Sequence, residues 1–251
     1  MGEVDPKETL PGNRLRDTTI QSVIERPKPH VGEIIVYGLL IVLLMAGTYW
    51  RNRVWNSELE LWTDCLKKSP HKDRPHNNLG SAFLEQSMYQ EAIFHLNEAL
   101  RINPNSAEAH DNLGNVFLKQ GKYQEAINQY SEALRIKPDL SETHYNLGNL
   151  FLGRGKHQEA ITQYTEALRI NPNSAEAHNN LGNVFLKQGK YREAITQYTE
   201  ALWINPDLSE THYNLGNAYL MVGNRGLALE EYQTLKTMDR GLASALYQEI
   251  K

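Results

Sequence analysis

Asparagine is the residue of this 251-residue chain whose placement could do the most chemistry. Asn78, Asn112, Asn146, Asn180 and Asn214 fall 34 residues apart, each just before a Leu-Gly pair. Asn115, Asn149, Asn183 and Asn217 follow those glycines, with Ser81 in the first copy. A side-chain amide carries both a donor and an acceptor. A ladder of them can hold the backbone of an extended peptide without reading its side chains. The same residues could instead solvate an exposed face or bond a neighbouring helix. His76, His110, His144, His178 and His212 keep the same interval. One per copy sets them on the order of 10 Å apart, too far to share a metal, so packing is the plainer role. Cys65 is the one cysteine, which excludes an intramolecular disulfide and any Cys-rich metal site. No Walker loop, HExxH, CxxC or GxSxG pattern occurs. No catalytic residue, metal or small-molecule cofactor is therefore expected. A net charge of -4 gives no basic face for nucleic acid.

The elements that must position these residues are legible in the spacing. Gly80, Gly114, Gly148, Gly182 and Gly216 are each preceded by Leu and followed three residues later by Phe83, Phe117, Phe151, Phe185 and Tyr219. Ala92, Ala126, Ala160, Ala194 and Ala228 hold the same frame, as do Ala99, Ala133, Ala167 and Ala201. Pro104, Pro138, Pro172 and Pro206 close the first four copies. Helical hairpins are predicted, with Gly121, Gly155, Gly189 and Gly223 ending the first helix and Pro stopping the second. Small residues let the two helices of a hairpin approach, and the large Leu and Phe fill the space between them. One hairpin cannot bury its apolar face alone, so stability must come from stacking.

This frame resembles the tetratricopeptide repeat (TPR), over residues 73–240 in five copies. The resemblance implies an all-α solenoid whose first helices line a concave face. The two asparagine series then fall on that face. They are similar to the asparagine ladder in the TPR region of O-GlcNAc transferases, which implies an extended protein or peptide as partner. The basic clamp of chaperone-binding TPR proteins has no counterpart, because the matching positions hold Asn, Asp111, Tyr145 and Tyr213. Gln129 and Gln163 are expected on the exposed convex face.

The frame runs on at both ends. Residues 54–72 read as the second helix of an incomplete preceding unit. Trp62 and Cys65 stand one period before Leu96 and Ala99, Trp55, Leu59, Trp62 and Leu66 share one face, and Ser57 with Glu60 offers a capping box. Residues 241–251 should form a capping helix, with Leu242, Leu246 and Ile250 covering the last apolar face. The units also pair at a longer period. Residues 103–137 and 171–205 match at 29 of 35 positions, differing at 111, 124, 128, 131, 135 and 137. A 68-residue block has been duplicated.

Upstream, residues 1–30 read as a flexible tail. Residues 31–53 read as one transmembrane helix, because Ile34 to Trp50 is a run of 17 uncharged residues bounded by Glu33 and Arg51. That run spans roughly 26 Å as a helix. A buried core helix would carry more polar punctuation. A cleaved leader would need a short basic start. Tyr37, Tyr49 and Trp50 suit the two interfaces. Four basic residues within twenty positions on each side leave the orientation open. The expected function is a membrane-anchored, single-pass scaffold for a protein or peptide. A second expectation comes from residues 34–80, which resemble the last-helix-to-first-repeat junction of transmembrane O-mannosyltransferase-type TPR proteins. That implies an accessory or remnant of such a glycosyltransferase, with the repeats outside the cytoplasm.

Overall fold

The computed structural model describes residues 31–53 and 57–251, which form two compact units, one ending at Asn56 and the other running from Ser57 to Lys251. The expected tail over residues 1–30, and Trp55 on the expected half-repeat face, lie outside the described residues. Among the described residues there are thirteen helices and no strand.

In the first unit stands α1 (Val31–Arg53). Its described apolar side chains are exposed on every side, from Ile34 to Tyr49. Among the described residues, however, no helix is long and apolar enough to cross a membrane. The uncharged stretch falls short of the about 20 residues that a hydrocarbon core asks of a helix.

The second unit begins with α2 (Glu58–Lys68), whose N-cap Ser57 accepts a hydrogen bond from the Glu60 amide. Five hairpins follow, each an A helix and a B helix: α3 (Asp73–Glu85) with α4 (Tyr89–Ile102), α5 (Ala107–Lys119) with α6 (Tyr123–Ile136), α7 (Ser141–Gly153) with α8 (His157–Ile170), α9 (Ala175–Lys187) with α10 (Tyr191–Ile204), and α11 (Ser209–Met221) with α12 (Arg225–Met238). The last is α13 (Arg240–Ile250), started by Asp239, whose carboxylate accepts from the Gly241 and Leu242 amides at 2.8 and 3.0 Å.

Each A helix ends in the same way. In the second hairpin Lys122 N–H reaches back to the Phe117 carbonyl and Gly121 N–H to that of Leu118, at 2.9 and 3.0 Å. That closure needs a left-handed residue, and Gly121 has φ of +72°. The first hairpin makes the same turn with Ser87 at φ +59°, a conformation that a side chain disfavours.

Packing follows the small-residue frame. The first and second alanine series are fully buried, or within one per cent of it. A Cβ added at Gly114, Gly148 or Gly182 would sit 2.6–2.7 Å from the ring of Tyr130, Tyr164 or Tyr198. These glycines therefore set the hairpin spacing. In the last hairpin Leu246 of α13 comes against Gly216, and α13 buries Ala243, Leu246 and Ile250. Leu235 replaces the second alanine there and is fully buried against the same cap.

Successive A helices touch, as α3 with α5, α7 with α9 and α9 with α11, whereas no such packing joins successive B helices among the described residues. The solenoid unit therefore curves toward its A helices, and they line the concave face.

Candidate functional site

The concave face carries a hydrogen-bonded network that the spacing alone does not reveal. In the second hairpin the buried Tyr130 hydroxyl donates to Asn115 Oδ1 at 2.6 Å. The same oxygen accepts from Asn146 Nδ2 of the next A helix at 3.3 Å. The motif repeats one unit on: Tyr164 donates to Asn149 at 2.6 Å, and Asn180 donates to Asn149 at 2.9 Å and to the Tyr145 hydroxyl at 3.2 Å. It repeats again with Tyr198 to Asn183 at 2.7 Å and Asn214 to Asn183 at 3.1 Å. Burial pushes the hydroxyl pKa of all three tyrosines far above the usual value, so they stay donors throughout the physiological range.

The predicted ladder residues are thus brought together, but as staples between successive A helices. All nine are half-buried. At the ends the motif changes. Asn112 donates to Asn77 at 3.0 Å, Asn77 donates to Asn78 at 3.3 Å, and Asn217 makes no side-chain hydrogen bond among the described residues. Asn115 and Asn180 have partners at both ends of the amide, Asn115 giving its Nδ2 to Asp111 and Asn180 accepting from Asn179 at 3.2 Å, but part of the amide is unspent at five other positions. Asn149 and Asn183 keep their Nδ2 donors, and Asn112, Asn146 and Asn214 keep their Oδ1 acceptors, with no partner inside the described chain.

Two further positions join this network without having been singled out by spacing. Asp111 accepts from Thr143 Oγ1 at 2.6 Å and from Asn115 Nδ2 at 3.2 Å. Burial raises its carboxyl pKa, partly offset by the bond from Thr143. In the duplicated block Asn179 takes that place and accepts from Thr211 Oγ1 at 3.0 Å. The 34-residue interval of the tyrosines and the 68-residue interval of the threonines were the available signals.

The recurring histidines are structural ties. His110, His144 and His178 each contact the preceding proline carbonyl through Nε2, and through Nδ1 a glutamine of their own B helix, at 2.7–2.8 Å. In each the glutamine Oε1 faces Nδ1, so the ring donates there when its proton sits on Nδ1. Gln129 and Gln163 are these partners and are half-buried, which corrects their expected place on the exposed convex face. In the last hairpin Glu231 cannot donate. The His212 Nδ1–Glu231 contact at 2.6 Å is an ion pair that raises the imidazole pKa. In the first hairpin His76 and His95 face each other Nδ1 to Nδ1 at 3.0 Å, room for one proton, and burial lowers both pKa values. Among the described residues no group of His, Cys, Asp or Glu is placed to hold a metal.

Two hollows open at the start of the concave face. One of about 840 Å³ is lined by Asp73, Arg74, Glu108 and Lys137, together with Asn77 and Asn78. A second of about 300 Å³ continues from it over Asn78, Ser81, Asp111 and Asn112.

Stacked helical hairpins with a polar inner face define an α-solenoid. A family model described as TPR repeat matches residues 80–121, 114–155, 148–189 and 182–223, more than half of the chain. The chain belongs to the TPR repeat family. Its fold is shared with YrrB, described as a TPR protein with an unusual peptide-binding site, at 23% identity and a TM-score of 0.67 over 76% of this chain and 99% of that one. PilF of Pseudomonas aeruginosa aligns at 21% identity and a TM-score of 0.69, over 84% of this chain and 96% of that one. MamA aligns at 23% identity and a TM-score of 0.59, covering 68% and 95% of the two chains. No curated protein sequence matches the chain. The junction resemblance over residues 34–80 gains no support from the family match or from these structures.

Proposed function

We propose that this chain is a scaffold that holds an extended segment of a partner protein against the A helices of its repeats. The observation that carries this reading is the half-spent asparagine ladder. Three A helices present amide groups fixed on one side by the chain itself, with the Oδ1 of Asn146 and Asn214 and the Nδ2 of Asn149 and Asn183 left without a partner among the described residues. Groups pre-oriented in this way lose little freedom on binding a peptide backbone. The likeness to YrrB, a TPR protein with a peptide-binding site, supports the same class of ligand.

The test is capture of a partner by chemical crosslinking from detergent-solubilised cells, with the Asn112→Ala, Asn146→Ala, Asn180→Ala triple variant as comparison. Partners of the wild type should be lost from the variant. The reading is refuted if they are captured equally by both. The variant is not structurally silent, since it deletes the staples from Asn112 to Asn77, Asn146 to Asn115 and Asn180 to Asn149. Each costs roughly 0.5–1.5 kcal/mol, against a gain of a few tenths from the better helix propensity of Ala. Its folding must therefore be verified by circular dichroism.

The scaffold is further proposed to be tethered to a membrane by α1. What supports this is a helix of 23 residues whose described apolar side chains are exposed all round, which water does not tolerate without a covering phase. Removing residues 1–53 should release the protein from membranes after a carbonate wash. Continued sedimentation with the membranes would show that the anchor lies elsewhere.

A further inference from the structure

The smaller hollow of the concave face contains a charge that the fold does not require. Asp111 is half-buried, and both its hydrogen-bond donors, Thr143 and Asn115, are neutral. Among the described residues no Lys, Arg or His pairs with it, and the charge that acts on it is another carboxylate, Glu142. Glu108 stands exposed at the mouth. In the adjoining hollow the charges balance, Arg74 and Lys137 against Asp73 and Glu108. The uncompensated charge is that of Asp111.

The molecule carries its own control. In the duplicated block Asn179 occupies the same position and accepts the same bond from Thr211 that Asp111 accepts from Thr143, at 3.0 against 2.6 Å. An amide therefore meets the structural need. Burying a carboxylate instead costs folding energy unless a cation comes to it. Position 111 is one of only six differences in 35 aligned positions between these blocks, and the one among them that lines a hollow of the concave face with a charge of a single sign. A carboxylate retains about four acceptor sites, of which Thr143 and Asn115 use two. Ser81 and the Asn112 Oδ1 add neutral acceptors at the same hollow, with no partner among the described residues.

From these observations we infer that the hollow between α3 and α5 receives a cationic group of the bound segment, a lysine or arginine side chain, with Asp111 as its counter-charge. This deepens, and rests on, the groove reading above. It gives the groove a polarity: a basic residue sits at its first-hairpin end, while the neutral asparagines further along hold the backbone. Burial holds the empty Asp111 carboxyl above its ordinary pKa, and a bound cation would bring it down.

The experiment uses the full-length chain in detergent micelles and an array of capped random decapeptides, grouped by a fixed central residue that is Lys, Arg, Gln or Glu. Peptides centred on Lys or Arg should be retained about ten-fold better than their Gln twins, equivalent to about 1.4 kcal/mol. Asp111→Asn should erase that preference, bringing the Lys- and Arg-centred peptides down to the retention of their Gln twins. The variant should fold, because Asn179 already occupies the equivalent place; a thermal midpoint at or above that of the wild type verifies it. A wild type without preference for the basic peptides, or a preference that survives in Asp111→Asn, overturns the pocket and leaves the groove standing. If no peptide is retained, or the asparagine triple variant retains them all as well as the wild type, the groove reading falls and the pocket with it.

Discussion

Gly148 offers the sharpest test of why these hairpins pack as they do. A Cβ built there would lie 2.7 Å from Tyr164 Cε1, 2.8 Å from Cδ1 and 3.1 Å from Cζ, well inside ordinary contact. The ring has little room to retreat. Tyr164 is fully buried, and its hydroxyl is held by Asn149 at 2.6 Å. Gly148→Ala should cost about 1–3 kcal/mol in overpacking. Loss or stretching of the Tyr164–Asn149 bond adds about 0.5–1.5 kcal/mol. The better helix propensity of Ala returns up to about 1 kcal/mol, leaving a net loss of about 2 kcal/mol. Gly153, at the end of the same helix, has nothing within 4 Å of its would-be Cβ. Gly153→Ala should therefore stabilise by about 0.5–1 kcal/mol through propensity and a less flexible unfolded chain. One chemical change thus has opposite signs five residues apart. Urea unfolding gives the totals. Amide exchange in α7 and α8 shows that the loss is local, as expected when each repeat contacts only its neighbours. If Gly148→Ala matches the wild type, or both variants shift in one direction, the packing logic is wrong.

Two other outcomes follow from the ends of the array. Ser87 makes the left-handed turn that glycine makes in the other four hairpins, so Ser87→Gly should raise stability by up to about 1 kcal/mol, measured by the thermal midpoint. The two terminal histidine sites should respond to pH in opposite directions. His76 and His95 have lowered pKa values in the fold, so their contribution is present at neutral pH and lost as pH falls through about 6.5 and below. His212 has a raised value, so its contribution is complete below about 6.5 and is lost as pH rises through the folded value. Between pH 8 and pH 5.5, amide protection should fall in α3 and α4 and rise in α11 and α12, relative to the middle hairpins. Parallel changes at both ends would refute the assignment of the two pairs.

Much of the fold was legible because glycine, alanine and proline report backbone geometry directly. The interval from Gly80 to Gly216 locates the close approaches, and Pro104 and its equivalents mark the stops. The additional helix at each end of the array followed from continuing that frame, as Ser57 and Leu246 illustrate. The site was harder to read. Spacing places Asn115 and Asn146 on one face, but it does not say that one oxygen serves both the Tyr130 hydroxyl and the Asn146 amide. That bond joins residues of two units whose separation depends on how the hairpins stack. Gln129 was misjudged for a related reason. Its exposure depends on whether His110 turns toward it, which a helical wheel does not show. The difference between Asp111 and Asn179 was visible in the alignment of the two blocks. Its meaning needed the donors around it.

Whether the asparagine ladder meets a ligand at all is best settled on the ladder itself. The side-chain amide resonances of nitrogen-15-labelled, full-length protein would be followed while a capped decapeptide retained by the array is added. The groove reading predicts that the NH2 signals of Asn149 and Asn183 shift with a common affinity, since those donors have no partner among the described residues. Gln90 and Gln158, exposed on B helices, should stay where they are. Shifts confined to the B-helix glutamines, with the ladder amides unmoved at saturating peptide, would contradict the central claim.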